Sequence, residues 1–262
     1  MISVIQFGTL DYATGLRLQQ KVVELRKADR IGDTLLLLEH TPVITLGRNA
    51  KQSNIIASPE LLKRRGVEVF ECDRGGDVTY HGPGQLVGYP VFDLRAQLGD
   101  DGQRKTVGAV EYVRRVEEAL IRTCAEYGIA TERVKGMTGV WTEPGYNGHD
   151  QAKIAAIGVH ISRAVTSHGF ALNVNTDLDY FKLIVPCGIS TKPVTSIHKE
   201  LGHEVAIDEV AQVVTRNFGR VFKSQVLWLQ TLDDLLGQSV GVPMKEPDNL
   251  RRLRGDDDLT WV

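Results

Sequence analysis

A glycine-rich run in the first third of the chain constrains the fold more than any other feature. The run reads RGGDVTYHGPGQLVG over residues 74–88, and its glycines and proline exclude a helix there. Glycines let a backbone lie directly against a ligand, and Pro83 stiffens the loop before binding. A sharp structural turn would also explain such a loop, but the charged and polar residues within it favour a binding site.

The run does not match a phosphate-binding motif. Gly82, Gly84 and Gly88 come close to a dinucleotide fingerprint, but strand-like residues follow them instead of the helix that such a site needs. The P-loop pattern G-x-x-x-x-G-K-[ST] is absent from the chain, as is the G-x-S-x-G elbow of serine hydrolases. We therefore predict no nucleotide cofactor.

The seven histidines show no metal-ligand spacing, because H-x-x-x-H and C-x-x-C pairs are missing. We therefore expect no metal site. His81 and His168 each precede a glycine, which is compatible either with turns near a site or with structural histidines.

Charge, hydropathy and cysteine content exclude several classes of protein. A net charge of −2 over 262 residues argues against a nucleic-acid binder. No apolar run approaches the roughly 18 residues of a membrane helix, and the first residues lack the pattern of a signal peptide. Three cysteines do not make a disulfide framework. We expect a soluble protein of the cytoplasm that acts without nucleic acid or membrane.

Apolar periodicity predicts the main elements. Helices are expected over residues 14–28, 58–66, 107–127 and 208–223, with Asp208 as an N-cap, and a short helix within 225–239. Strands are expected over 34–39, 43–46, 67–72, 87–94, 138–142, 153–163 and 168–175. The apolar face of the 107–127 helix comprises Val110, Val113, Val116, Leu120, Ile121 and Cys124. Because helices and strands do not alternate regularly, the fold class is predicted to be α+β.

The cysteines differ in their local surroundings. Cys124 lies on the apolar helix face and Cys72 in a strand before the glycine-rich run, so both are interpreted as core residues. Cys187 stands between Pro186 and Gly188, where an inert buried thiol and an accessible nucleophile are equally compatible with the sequence. A nucleophilic thiol needs activation, and Lys153, at the head of a small-residue strand, is either a surface charge or a desolvated amine.

Four stretches of the chain resemble one known family, the octanoyltransferases of lipoate biosynthesis. They are PVITLGR (42–48), RGGDVTYHGPGQ (74–85) with GYP (88–90), KIAAIGV (153–159), and SHGFALN (167–173) with PCGI (186–189). The resemblance extends over residues 2–222 and implies a biotin/lipoate protein ligase-like catalytic domain with a mixed β-sheet core flanked by helices. We expect a catalytic domain over residues 1–225 and a C-terminal extension over 226–262.

The resemblance implies an acyltransferase that needs no cofactor. It would move an octanoyl group from acyl carrier protein to a lysine of lipoyl domains, including those of 2-oxoacid dehydrogenases and of the glycine cleavage H protein. Cys187 would be the nucleophile that carries the acyl group, and Lys153 its partner. The family's substrate-contacting segments correspond to Arg74, Gly75, Gly76, Asp77, Val78, Thr79, Tyr80 and His81, to Ala156, Ile157 and Gly158, and to Gly169, Phe170 and Ala171.

Two other functions fit the same fold. An ATP-dependent lipoate or biotin ligase would need an adenylate-binding loop, and the G-R-G-R-x-G run of biotin ligases is absent. A non-catalytic acyl-binding protein would have no need to keep both Lys153 and Cys187. If the acidic carrier protein is the donor, a basic rim is expected, with Lys63-Arg64-Arg65 and Arg114-Arg115 as candidates.

Overall fold

The computed structural model describes residues 1–99, 103–148, 150–185 and 192–238. The strands are β1 (Ile2–Leu10), β2 (Asp33–His40), β3 (Val43–Leu46), β4 (Glu68–Glu71), β5 (Val78–His81), β6 (Gln85–Val91), β7 (Gln97–Leu98), β8 (Arg104–Lys105), β9 (Thr131–Val134), β10 (Met137–Thr142), β11 (Lys153–Ser162), β12 (Val165–Asn173) and β13 (Val226–Leu229). The helices are α1 (Tyr12–Lys27), α2 (Pro59–Arg64), α3 (Ala109–Glu126), α4 (Ile197–Leu201), α5 (Ile207–Val221) and α6 (Leu232–Gln238). Their order confirms the α+β class.

Eight strands form the main sheet, in the order β13-β1-β2-β6-β12-β11-β10-β9. β1 runs parallel to β13 and β2, whereas the remaining neighbours are antiparallel, so the predicted mixed sheet is confirmed. β11 and β12 form a hairpin whose turn residues Arg163 and Ala164 have φ values of 52° and 63°. Such a left-handed two-residue turn matches the strand twist, and it sets the register of the two strands.

Both faces of the main sheet are buried. Leu35 and Leu37 of β2 lie in the apolar cluster beneath α3 and α5, whereas Leu36 and Leu38 lie in the cluster beneath α1. Because successive residues of a strand point to opposite faces, a strand buried on both sides needs a continuous apolar run. This explains why residues 35–38 are four consecutive leucines.

A small sheet, β4-β3-β5, packs with α2 around a third apolar cluster. Ser58 caps α2, because its side chain accepts a hydrogen bond of 3.3 Å from Leu61 N, and Pro59 occupies the first helical position. Leu62 of α2 and Ile184 belong to this third cluster. The small sheet therefore anchors the chain just before residues 186–191.

Two sequence expectations need correction. α5 begins at Ile207 after Ala206, and Asp208 lies in its first turn, so Asp208 is not the N-cap. Its carboxylate instead accepts a 2.8 Å hydrogen bond from the Gln6 side chain. Val110 is 76% exposed, because at the start of α3 it points away from the sheet. The short helix expected within 225–239 is confirmed as α6, and the strand β13 precedes it.

The predicted boundary at residue 225 lies directly before β13. β13 pairs in parallel with β1 as the edge strand of the main sheet, and α6 buries Leu235 and Leu236 in the cluster beneath α1. Residues 239–262 of the expected extension lie outside the described residues. In the described part of the chain, no helix is both long and apolar enough to cross a bilayer.

Candidate active site

A cavity of about 330 Å³ lies against the main sheet at β11, β12 and β6. Its opposite wall is the loop before β5 together with the cavity-facing side of that strand. The cavity brings together most of the residues expected to bind substrate: Arg74, Gly75, Gly76, Asp77, Thr79, His81, Ala156, Ile157, Gly158, Gly169, Phe170 and Ala171, with Lys153 beside them. Residues as far apart in the sequence as Arg74 and Ala171, 97 positions, therefore form one site.

Val78 and Tyr80 do not line this cavity. β5 alternates its side chains, so Thr79 and His81 face the cavity whereas Val78 and Tyr80 point into the third apolar cluster. Tyr80 there stacks on Tyr180, with 4.8 Å between ring centroids. The expectation that every residue from 74 to 81 contacts substrate is therefore too broad, because a contiguous strand presents only alternate residues to one side.

Two glycines let the loop before β5 lie directly on β11. Gly75 N donates a 3.0 Å hydrogen bond to Val159 O, so the loop backbone pairs with the strand backbone. A Cβ atom added to Gly158 would lie 2.6 Å from Gly75 O, closer than any side chain allows. The glycines of the motif are thus explained by the contact between two backbone segments at the edge of the cavity.

Arg74 and Asp77 attach this loop to the small sheet. The buried guanidinium of Arg74 donates to Thr45 O at 2.7 Å and to Thr45 Oγ1 at 2.9 Å. Both acceptors are neutral, so these bonds hold the side chain without neutralising its charge. Asp77 accepts a 2.6 Å hydrogen bond from Asn54 Nδ2, which links the cavity wall to the segment after β3.

His168 attaches the same loop to the main sheet. Its Nε2 donates a 2.7 Å hydrogen bond to Asp73 Oδ1, and its backbone, at φ 55°, turns its N–H towards Gln19 Oε1 at 3.0 Å. Burial raises the pKa of Asp73, but the hydrogen bond from His168 outweighs it and holds that pKa below its usual value. Burial lowers the pKa of His168 despite the hydrogen bond to Asp73. A strained backbone within a strand is typical of functional sites.

A buried hydrogen-bond network fixes the tautomer of His81. Gln85 donates through Nε2 to Asn173 Oδ1 at 2.9 Å, so its Oε1 accepts from His81 Nδ1 at 2.7 Å. Burial lowers the pKa of His81 to about 3, and its Nε2 is consequently unprotonated. Asn173 Nδ2 in turn donates to Thr195 O at 2.9 Å. The network connects the cavity to the segment that follows residues 186–191.

Lys153 is the first residue of β11 and is only 9% exposed. Its Nζ lies 4.7 Å from the centroid of the Trp141 ring, and Lys192 Nζ lies 5.5 Å from the same ring. Its backbone N donates to Pro193 O at 2.9 Å, and its carbonyl accepts from Thr195 N at 2.9 Å. Lys153 is therefore buried at the cavity, and the structure excludes the exposed surface position that was one of the two alternatives left open by the sequence.

Cys187 lies outside the described residues, within 186–191. On the N-terminal side of that segment, Val185 N donates a 2.7 Å hydrogen bond to Asn54 O. Of the other cysteines, Cys124 is fully buried and burial raises its pKa to about 12, which confirms it as a core residue. Cys72 is half-buried, and its Sγ lies 3.5 Å from Leu46 O.

Several cavity residues escaped the sequence analysis. They are Tyr12, Asn49, Val87, Tyr89, Gly136, Met137 and Thr138. Asn49 directly follows the PVITLGR stretch and Tyr89 belongs to GYP, so those motifs did signal their neighbourhood. The turn before β10 carries no comparable pattern. Among the residues described, no group of three His, Cys, Asp or Glu side chains could hold a metal ion.

The two basic clusters expected to form a rim differ in their surroundings. Arg114 pairs with the buried Glu117 at 2.7 Å, and Arg115 pairs with Glu111 at 2.5 Å. Both arginines are on α3, which covers the face of the sheet opposite the cavity. Lys63 and Arg64 are exposed on α2, beside the segment that leads towards Cys187. Only the α2 cluster is therefore positioned to contact a partner at the site.

Solved structures of lipoate protein ligases have the same fold as this chain. A bipartite lipoate protein ligase from Thermoplasma acidophilum, solved in work that includes its E2 lipoyl domain, superposes with a TM-score of 0.67 at 15% identity, over 91% of each chain. A lipoate-protein ligase A bound with ATP superposes with a TM-score of 0.67 at 16% identity, over 87% of each chain. These similarities confirm the predicted lipoate ligase-like catalytic fold.

Curated relatives define the class of protein. An octanoyltransferase from Koribacter versatilis is 63% identical over 259 residues, 98% of each chain. An octanoyltransferase from Acidobacterium capsulatum is 59% identical over 238 residues, 90% of this chain and 96% of the relative. Identity this high over nearly the whole length makes the chain an acyltransferase enzyme. It belongs to the lipoyl protein ligase A/B catalytic domain family, whose model matches residues 11–219.

Proposed function

We propose that this enzyme transfers an octanoyl group from acyl carrier protein to a lysine of lipoyl domains, with Cys187 as the carrier of the acyl group. The acceptors would be the lipoyl domains of 2-oxoacid dehydrogenases and the glycine cleavage H protein, and the reaction would take place in the cytoplasm. The high identity to octanoyltransferases supports the acyl group, and the cavity supports an acyl-binding site.

One observation carries the proposed role of Cys187. Residues on both sides of 186–191 are hydrogen-bonded to the cavity walls: Val185 to Asn54, which holds Asp77, and Pro193 to Lys153. Cys187 belongs to the segment between these two anchors, and both anchors lie at walls of the cavity that also contains Lys153. This supports the proposal that the thiol acts beside Lys153 on an acyl group in the cavity.

The proposed reaction has two steps. The thiolate of Cys187 attacks the carbonyl of the donor thioester, the bond to the carrier's sulfur breaks, and the carrier thiol leaves with a proton. The acceptor lysine then attacks the new thioester as a free amine. An amide forms, the bond between the acyl group and the sulfur of Cys187 breaks, and the proton lost by the amine goes to that sulfur. The first step exchanges one thioester for another, whereas the second is downhill because an amide is more stable than a thioester.

Two tasks are open to Lys153 in this scheme. As an ammonium it would stabilise the thiolate of Cys187, and as an amine it would accept a proton from the thiol or from the incoming lysine. The tetrahedral oxyanion needs hydrogen-bond donors. Candidates are the backbone N–H groups of residues 76–81, which span the end of the loop before β5 and β5 itself, and the N–H of Gly188. The apolar part of the cavity would hold the acyl chain, with about 0.8 kcal/mol for each buried methylene.

Intact-protein mass spectrometry after mixing with octanoyl-acyl carrier protein tests the proposal. We expect one octanoyl increment on the wild type, loss of it in Cys187→Ser, and its retention in the matched control Cys72→Ser. Addition of an unmodified lipoyl domain should move the increment to that domain. If Cys187→Ser keeps the increment, Cys187 is not the nucleophile. ATP–pyrophosphate exchange driven by a fatty acid would instead identify an ATP-dependent ligase.

A further inference from the structure

Two rows of residues cross the cavity face of the main sheet, and they change from small to large. In the first row, Ala156 of β11 pairs with Ala171 of β12, which pairs with Val87 of β6. In the second row, Gly158 lies beneath Gly75 of the loop before β5 and pairs with Gly169, and Tyr89 is the next residue on this face of β6. The cavity face of the sheet therefore carries only small residues on β11 and β12 and bulky side chains at β6.

The width of this strip of small residues matches the length of an eight-carbon chain. Neighbouring strands are about 4.8 Å apart, so β6 lies roughly 9.6 Å from β11 across β12. An extended chain with bonds of about 1.5 Å and angles of about 111° advances roughly 1.25 Å per bond, which places C8 about 9 Å from C1. An acyl group whose carbonyl carbon lies over β11, the strand that begins at Lys153, would thus reach β6 with its last carbon.

The wall at β6 is rigid because a hydrogen-bond chain holds Tyr89. His40 Nδ1 lies 3.1 Å from Leu10 O, which can only accept, so the Nδ1 atom carries the proton. His40 Nε2 therefore accepts from the Tyr89 hydroxyl at 2.6 Å. Both His40 and Tyr89 are buried, and Tyr12 packs beside them with 5.2 Å between its ring centroid and that of His40. The ring of Tyr89 cannot swing aside without breaking this bond.

We propose that Val87 and Tyr89 end the acyl slot and thereby set the upper limit of chain length at eight carbons. This proposal rests on the proposed octanoyl transfer, because the acyl chain must begin over β11. Tyr89 limits one row through a ring that His40 fixes in place, and Val87 limits the other row through its two methyl groups. Both residues therefore determine specificity without contacting the reacting atoms.

This proposal is tested by single-turnover acylation. The donors are carrier proteins that bear acyl chains of 6, 8, 10 or 12 carbons, and the rate is measured with each. The wild type should react fastest with eight carbons. Val87→Ala should raise the rate with ten carbons relative to eight by about tenfold, because the removed methyl groups leave room for the extra methylenes. The matched control is Val91→Ala, an equal truncation at a buried position of the same strand and face but outside the cavity.

Two further variants keep the proposal testable if Val87→Ala does not fold. Ala171→Val fills the middle of the strip and should shift the preference to six carbons. Tyr89→Phe keeps the ring but removes its bond to His40, and it should broaden tolerance towards ten carbons. Unchanged chain-length profiles in the folded variants would overturn the proposal while octanoyl transfer stands. A wild type that accepts no acyl chain of any length would overturn the proposed function as well.

Discussion

The Nζ atom of Lys153 lies 4.7 Å from the centroid of the Trp141 ring, and Trp141 is only 1% exposed. An aromatic face attracts a cation most strongly where water is excluded, so the ring would stabilise the Lys153 side chain as an ammonium. Lys192 shares this ring at 5.5 Å. One indole thus connects Lys153 to the residue that directly follows 186–191.

Replacing Trp141 should slow the steps that need Lys153. Trp141→Leu removes a cation–π contact of about 0.5–2 kcal/mol, so we expect acylation to slow by roughly 3- to 30-fold, whereas Trp141→Phe should keep most of the rate. The control is Trp228→Leu, the same change at a half-exposed position on the edge strand β13. Single-turnover acylation and melting temperature are the measurements. Equal slowing in both Trp141 variants would mean that ring size, and not attraction of the cation, is what matters.

A methyl group at Gly158 should disrupt the cavity wall. In Gly158→Ala the added carbon meets Gly75 O at 2.6 Å, and a backbone atom cannot move aside without displacing the loop before β5. We expect a loss of stability of about 1–3 kcal/mol and at least a tenfold slower acylation. Gly8→Ala is the control, because nothing lies within 4 Å of its added carbon. Denaturant unfolding and acylation rates check both; wild-type behaviour of Gly158→Ala would contradict the close-contact explanation.

Buried His40 should make the fold sensitive to acid. Burial lowers its pKa from 6.5 to about 4, so between these values the unfolded chain binds a proton that the folded chain does not. Its contribution is complete above pH 6.5 and is lost as the pH falls, by up to about 3 kcal/mol near pH 4.

The measurement is the free energy of unfolding in denaturant at several pH values between 7 and 4. His40→Gln should lower stability at pH 7, because the bond from Tyr89 is altered, but its stability should decline less steeply with acid than that of the wild type. The exposed His203 provides the control, and His203→Gln should keep the wild-type slope. Parallel slopes for the wild type and His40→Gln would show that His40 is not the source.

Charge reversal on α2 should weaken encounter with an acidic donor. The double variant Lys63→Glu and Arg64→Glu changes two exposed residues beside the segment that leads to Cys187. We expect kcat/KM for octanoyl-acyl carrier protein to fall about tenfold at low salt, with a flatter dependence on ionic strength. The double reversal of Arg122 and Lys199, two exposed cations elsewhere, should change neither quantity. If both double variants behave alike, α2 is not the docking surface.

Local patterns predicted every helix described except α4, but they missed the strands β1, β5, β7, β8, β9 and β13. The glycines and the proline of the glycine-rich run excluded a helix there. Ser58 followed by Pro59 predicted a helix start, because serine is a good N-cap and proline suits the first helical position. The side chains of any strand alternate between its two faces, but which face of β5 lies towards the cavity depends on the pairing of β5 with β3. The sequence therefore could not tell that Val78 and Tyr80 point away.

By itself, the sequence predicted most of the segments that line the cavity, including Lys153 on β11 and the walls around Gly75 and Gly158. Only the tertiary structure decided which distant side chains meet there. Asp73 and His168 are 95 residues apart, and their bond exists because the loop before β5 crosses the sheet at a fixed register. Tyr89 bounds the cavity because its strand, β6, lies two positions from β11 in the sheet and because its hydroxyl donates a hydrogen bond to His40. Such contacts arise from strand order and packing, which no local spacing of residues encodes.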